Sequence, residues 1–150
     1  MQNFRPRTFA SLAERLCSHS DEASHRSAIS RAYYASFLVT RDLLRIQDMS
    51  PDVHGLACRE LTSVGLDQLA LELEQLRKLR NRADYDTGRR FSRKDAVETV
   101  RIATALLDDL ITPSSLRLIR RHLRKRQLKA RAMPLSPARS RRGRPGTARR

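Results

Sequence analysis

The chain has 150 residues, 39% hydrophobic and 31% charged, a length and balance that fit one domain with a sizeable core. Its net charge of +15 is lopsided: residues 1–112 carry 17 Lys+Arg against 16 Asp+Glu, while residues 113–150 carry 14 Lys+Arg and no acid. Five glycines with no G-x-G-x-x-G or Walker pattern exclude Gly-rich nucleotide loops, and no run approaches the ~18 apolar residues of a membrane span.

In chain order, residues 8–18 place Phe9, Leu12, Ala13 and Leu16 on one stripe, which predicts a first helix. The start of the chain has no apolar core of the kind a secretory leader needs. Cys17 and Cys58 stand far apart with no C-x-x-C, so they read as free thiols and the compartment as cytoplasm. Ser20 is expected to cap a second helix running to about Gln47, with Asp21 and Glu22 in its first turn. Its apolar stripe is Ile29, Ala32, Tyr33, Ser36, Phe37, Thr40, Leu43 and Leu44. Ala32, Ser36 and Thr40 are small at every fourth position, and another helix can approach closely there. Arg31, Tyr34, Leu38, Arg41 and Arg45 form a different face.

Ser50-Pro51 is expected to open a third helix, with Pro at its first position, and Gly65 to end it. The fourth helix carries Leu66, Leu69, Leu73, Leu76 and Leu79 and breaks at Gly88. Ser92-x-x-Asp95 reads as a capping box for the fifth, whose stripe is Val97, Val100, Ala103 or Thr104, Leu107, Leu110 and Ile111. Five helices on short loops predict an all-α bundle over residues 1–112. Beyond Pro113, residues 114–132 are expected to form only a weak basic helix using Leu116, Ile119 and Leu123. Residues 113–150 as a whole read as a basic, largely disordered nucleic-acid-binding tail.

The fourth helix ends in LRKLRNRADYDTG, residues 76–88. At 3.6 residues per turn, Arg77, Arg80, Asn81 and Asp84 share one stripe. One reading is a solvated helix end in which Arg80 and Asp84 form an i, i+4 pair worth roughly 0.3 kcal/mol. The other is a site. Cys17, His19, Asp21 and His25 match no standard ligand spacing, so no metal is expected. The adjacent Tyr33 and Tyr34 read as packing rather than as a base-stacking platform.

The run SAISRAYYASFLVTRDLL at 27–44, then His54-Gly55, then LRKLRNRADYD and a capped fifth helix, resembles the HEPN domain family over roughly residues 8–112. Its "R-A-Y-Y-A" and "R-x-x-A-D-Y-D" motifs match a prokaryotic subfamily. The resemblance implies a four- to five-helix bundle, a homodimer, and no cofactor. It also implies ties to metal-independent ribonucleases of toxin–antitoxin and phage-defence systems, beside a minimal nucleotidyltransferase antitoxin. Two-fold symmetry through the second and fourth helices is expected to bring two copies of Arg80 toward one cleft.

The ribonuclease members carry an Arg, four to six residues, then a His. After Arg80 those positions hold Tyr85, Asp86 and Thr87, and after Arg77 they hold Arg82, Ala83 and Asp84. The arginine half of the motif is present, with Asn81 following it, and the histidine half is missing. Cutting RNA without a metal calls for a base near neutral pKa and a cation for the phosphorane. Arg80, Asn81, Asp84 and Tyr85 are the catalytic candidates, with His54 as a substitute base. A non-catalytic module that binds nucleic acid or nucleotide is therefore favoured over a ribonuclease, with a DNA-associated dimeric adaptor as a third reading. The nucleic-acid-binding candidates are Arg77, Arg82, Arg120, Arg121, Arg124, Lys125, Arg126, Arg142 and Arg144. Arg142-Gly143-Arg144-Pro145 resembles the core of an AT-hook, whose flat backbone enters the minor groove. As plain charge, the same run contacts any nucleic acid.

Overall fold

The computed structural model describes residues 4–132, which hold six helices and no strand. They are α1 (Thr8–Leu16), α2 (Glu22–Leu43), α3 (Val53–Val64), α4 (Asp67–Tyr85), α5 (Arg93–Leu110) and α6 (Pro113–Ala132). The central α2 packs against α1, α4 and α5, α3 lies on α4, and α6 touches α3 and α5. Ile29, Tyr33, Leu61, Leu73, Leu76, Leu106 and Leu110 are each no more than 1% exposed and form the middle of the core. Truncating one such leucine to alanine costs about 2–5 kcal/mol.

The stripe Ala32, Ser36 and Thr40 is fully buried inside the single chain. It is a seam within the bundle and offers no surface for a two-fold partner. On α5 the stripe is rotated from the expected one. Ala96, Thr99, Val100, Ala103, Leu106, Leu107 and Leu110 are buried, while Val97 and Ile111 face solvent. Two small or hydroxylic residues, Ala96 and Thr99, occupy the face against the body, and close helix packing favours them over the larger Val97.

The helix ends show which side chains capture which backbone groups. Asp21, not Ser20, caps α2: its carboxylate accepts from Ser24 N at 2.8 Å and from the Ser24 hydroxyl at 2.7 Å. Pro51 does not open α3. The Asp48 carboxylate accepts the Ser50 backbone N–H at 2.8 Å, which holds Ser50-Pro51 in a turn, and α3 begins two residues later. The Ser92–Asp95 capping box and the left-handed Gly65 (φ 89°) are as expected.

Residues 113–132 form the basic helix that the Leu116, Ile119 and Leu123 pattern predicts, and it is docked on the bundle rather than part of a loose tail. Pro113 takes the first helical position, and the Thr112 hydroxyl accepts from Ser115 N at 3.3 Å. Ser115 and Ile119 are buried, and Leu123 packs against the core from its edge. His122 Nε2 lies 2.9 Å from Glu60 of α3, and Arg126 donates to the same carboxylate at 3.2 Å. α6 is thus a sixth helix docked along one edge.

Candidate functional site

α4 ends where Asp86 turns extended and its carboxylate accepts from the backbone N–H groups of Gly88 and Arg89 at 3.1 and 3.2 Å. The last turn is clasped from α2 by Arg26. Its guanidinium donates to the carbonyls of Ala83 at 2.7 Å and Asp86 at 3.0 Å, and also to that of Arg89. Its Nε donates to Glu22 at 2.9 Å, and Glu22 in turn accepts the Phe91 backbone N–H at 3.2 Å. These bonds, with Arg26 stacked 5.1 Å from the Phe91 ring centre, satisfy carbonyls that a helix end leaves orphaned. The same hydrogen bonds hold the Glu22 carboxyl below its usual range.

On this fixed turn stands Arg80, with its side chain only 15% exposed. Nη1 donates to Asn81 Oδ1 at 2.8 Å, and Nη2 donates to the Tyr34 hydroxyl. Nε lies 2.9 Å from Asp84 Oδ2, but its N–H makes no directed hydrogen bond there, so that contact is Coulombic. Asp84 Oδ2 also accepts weakly from the Ser30 hydroxyl at 3.3 Å. The guanidinium carbon sits 5.0 Å from the Tyr34 ring centre, 5.7 Å from that of Tyr85 and 6.0 Å from that of Tyr33. A guanidinium has five N–H donors, and these bonds use only part of them. Arg80 is therefore a positioned cation with donors to spare.

His54 stands next to this cluster without belonging to its hydrogen-bond set. Its Nδ1 is 2.6 Å from the Tyr33 hydroxyl, and its ring lies 4.3 Å from that of Phe37. Burial, then the charges of Arg80 and Arg77, hold its pKa below the ordinary imidazole value. Burial likewise pushes the Tyr33 phenol well above its normal range. The two adjacent tyrosines divide the labour: Tyr33 joins His54 and Tyr34 joins Arg80.

The other candidates separate. Asn81 and Asp84 lie beside Arg80 as their spacing predicts, and the Tyr85 ring joins them. Arg77 is taken up by Glu74 through bonds of 2.8 and 2.9 Å, which makes it a poor phosphate ligand. Cys58 donates weakly to the same Glu74, and burial pushes its thiol up to about 11. Arg82 is exposed and forms no ion pair among the described residues. His25 Nε2 contacts the His19 carbonyl at 2.9 Å, Asp21 serves as a helix cap and Cys17 is buried. Among the described residues no three His, Cys, Asp or Glu side chains converge as a metal site.

A second basic surface lies on α6. Arg117, Arg120, Arg121, Arg124, Lys125 and Leu128 line a shallow concavity of about 390 Å³. Arg126 is turned away from it toward Glu60. Arg142 and Arg144, with the AT-hook-like run, lie outside the described residues. Sequence reasoning missed Arg26, Ser30 and Tyr34, which lie on α2 and reach α4 only through the fold. No described helix is long and apolar enough to cross a membrane.

No curated protein and no solved structure matches the chain. The family model of the HEPN domain matches residues 7–112, well over half of the sequence, and the chain belongs to the HEPN domain family.

Proposed function

We propose that this HEPN protein is a non-catalytic module that binds nucleic acid. The observation that carries the reading is the outer face of α6. Five cations, Arg117, Arg120, Arg121, Arg124 and Lys125, line one surface of a helix that contains no acid. A phosphodiester backbone is the ligand that such a surface fits, because each phosphate neutralised releases condensed counterions. Arg80 supplies a further fixed cation on the body. The protein acts in the cytoplasm as a homodimer, with a minimal nucleotidyltransferase as the partner its family suggests.

One observation favours metal-independent RNA cleavage as a second reading. His54 has a depressed pKa and is neutral near pH 7, one tyrosine pair away from Arg80. A neutral imidazole can accept the 2′-hydroxyl proton, and a guanidinium can stabilise the phosphorane. Against it, Nδ1 is occupied by Tyr33 and no histidine follows Arg80 at the motif spacing.

The experiment is to incubate the full chain with end-labelled RNA, with and without EDTA, measuring binding by anisotropy and integrity on a gel. Binding of intact RNA is expected. RNA cut equally with and without chelator, and spared by Arg80→Ala and His54→Ala, overturns the non-catalytic reading in favour of the ribonuclease. Absence of binding at low salt sinks both.

A further inference from the structure

Tyr85 is the last residue of α4, and 73% of it is exposed. Aromatic residues make up only 5% of the chain, and Tyr33, its most buried tyrosine, is 1% exposed. An aromatic ring left in water beside a positioned guanidinium calls for a partner that accepts both. The Arg80 guanidinium carbon stands 5.7 Å from the Tyr85 ring centre and 5.0 Å from that of Tyr34. Because Tyr34, Asn81 and Asp84 hold Arg80 in place, Tyr85 is backed by a cation that does not wander. The ring's remaining surface is open to solvent.

Two neighbours give this ring a polar surround. Asn81 is exposed, and Arg80 fixes its amide by donating to Oδ1, which leaves the Nδ2 hydrogens for another acceptor. Arg82 is an exposed cation on the same turn of the helix. Aromatic ring, amide donor and guanidinium match base face, base edge and phosphate, in that order.

We propose that Tyr85, backed by Arg80 and flanked by Asn81 and Arg82, is a stacking platform for one unpaired base of a single strand. The proposal rests on the nucleic-acid reading above and adds the class of ligand. Stacking needs a free base face, which a duplex hides and a single strand offers. Every base has such a face, so the platform separates single strands from duplexes rather than one base from another. The cations of α6 hold backbone without regard to bases, and the two surfaces therefore answer to different features of one ligand.

The test compares two ligands for the full chain at fixed salt: a ten-nucleotide single strand, and an abasic strand of the same length and charge. Wild type is expected to bind the base-bearing strand about fivefold or more tightly than the abasic one. Tyr85→Ala is expected to erase that preference and leave abasic binding unchanged, while Tyr85→Phe keeps it. Tyr85 is exposed, so neither change threatens folding, and a circular dichroism spectrum checks this. Equal binding of both strands by wild type overturns the platform, as does a Tyr85→Ala variant that weakens both alike. In either case binding by α6 charge still stands. If neither strand binds, the nucleic-acid reading fails and takes the platform with it.

Discussion

His54 carries a cost that depends on pH. Its folded-state pKa lies below the unfolded value because burial and the nearby charges of Arg80 and Arg77 penalise the imidazolium. Just below pH 6.5 the unfolded chain therefore binds more protons at this residue than the folded one, and stability falls as the pH drops through that window. Above it both states are neutral and the residue contributes no slope. The depressed carboxyls of Asp21, Glu22, Glu74 and Asp95 act lower. Each contributes stability above its unfolded value near 4 that is lost as pH falls toward its folded one. Urea midpoints measured at pH 7.5 and 5.5 are expected to drop more for wild type than for His54→Asn. Equal drops would show that His54 titrates alike in both states. The sequence marks this residue only as a histidine near a helix start, since its partners Tyr33 and Phe37 come from α2. Arg80, Asn81 and Asp84 were legible because helical spacing alone brings them together, and Tyr85 because it stands at the motif spacing after Arg80. Arg26 and Tyr34 were not, because nothing local says that an arginine on one helix will bond the end of another.

Helix ends reveal the same contrast between local and hidden causes. α2 and α3 close in one pattern. Ile46 N bonds Arg41 O at 3.0 Å and Arg45 N bonds Asp42 O at 3.2 Å. Leu66 N bonds Leu61 O at 3.0 Å and Gly65 N bonds Thr62 O at 2.9 Å. These are the paired bonds of a Schellman motif, each with a left-handed residue at its centre and an apolar residue after it. At the end of α3 that residue is Gly65, which the sequence announces. At the end of α2 it is Arg45 at φ 52°, the one non-glycine with positive φ among the described residues. An arginine signals no stop, and the helix reads as continuing to Gln47. The buried Ile46 anchors the turn despite the strain. A left-handed L-residue costs roughly 1–2 kcal/mol, part of which glycine's greater unfolded-state freedom offsets. Arg45→Gly is thus expected to stabilise the chain by about 0.5–1 kcal/mol in urea unfolding, and Arg45→Ala to give no such gain. A destabilised Arg45→Gly would mean that the side chain contributes more than the backbone strain costs. α6 shows the opposite kind of miss. Its pattern Leu116, Ile119, Leu123 was visible, but the polar part of its docking comes from Glu60, a residue on α3 that only the fold brings to His122 and Arg126.

Across the whole molecule, charge and core are separated. Residues 4–112 form the bundle with a net charge of +1, and residues 113–132 add eight Lys+Arg and no acid. Docking α6 along one edge spends Arg126 on Glu60 and leaves Arg120 and Arg124 on the open concavity. This division has a thermodynamic signature. The slope of log K against log salt counts the phosphates neutralised, at about −0.9 per phosphate for duplex DNA and about −0.7 for a single strand. If Arg120 and Arg124 each meet one phosphate, Arg120→Gln with Arg124→Gln is expected to make the duplex slope about 1.8 units shallower. Arg126→Gln removes the same kind of charge but one already balanced by Glu60, and is expected to change the slope by much less than 0.9. Arg77→Gln, paired with Glu74, belongs with it. A salt titration of wild type and these three variants on a single duplex separates the cases. If Arg126→Gln shifts the slope by about half of what the double variant does, Arg126 leaves Glu60 on binding and meets a phosphate of its own. If the double variant leaves the slope untouched, the concave face of α6 meets no phosphate, and the counterions released on binding come from elsewhere in the chain.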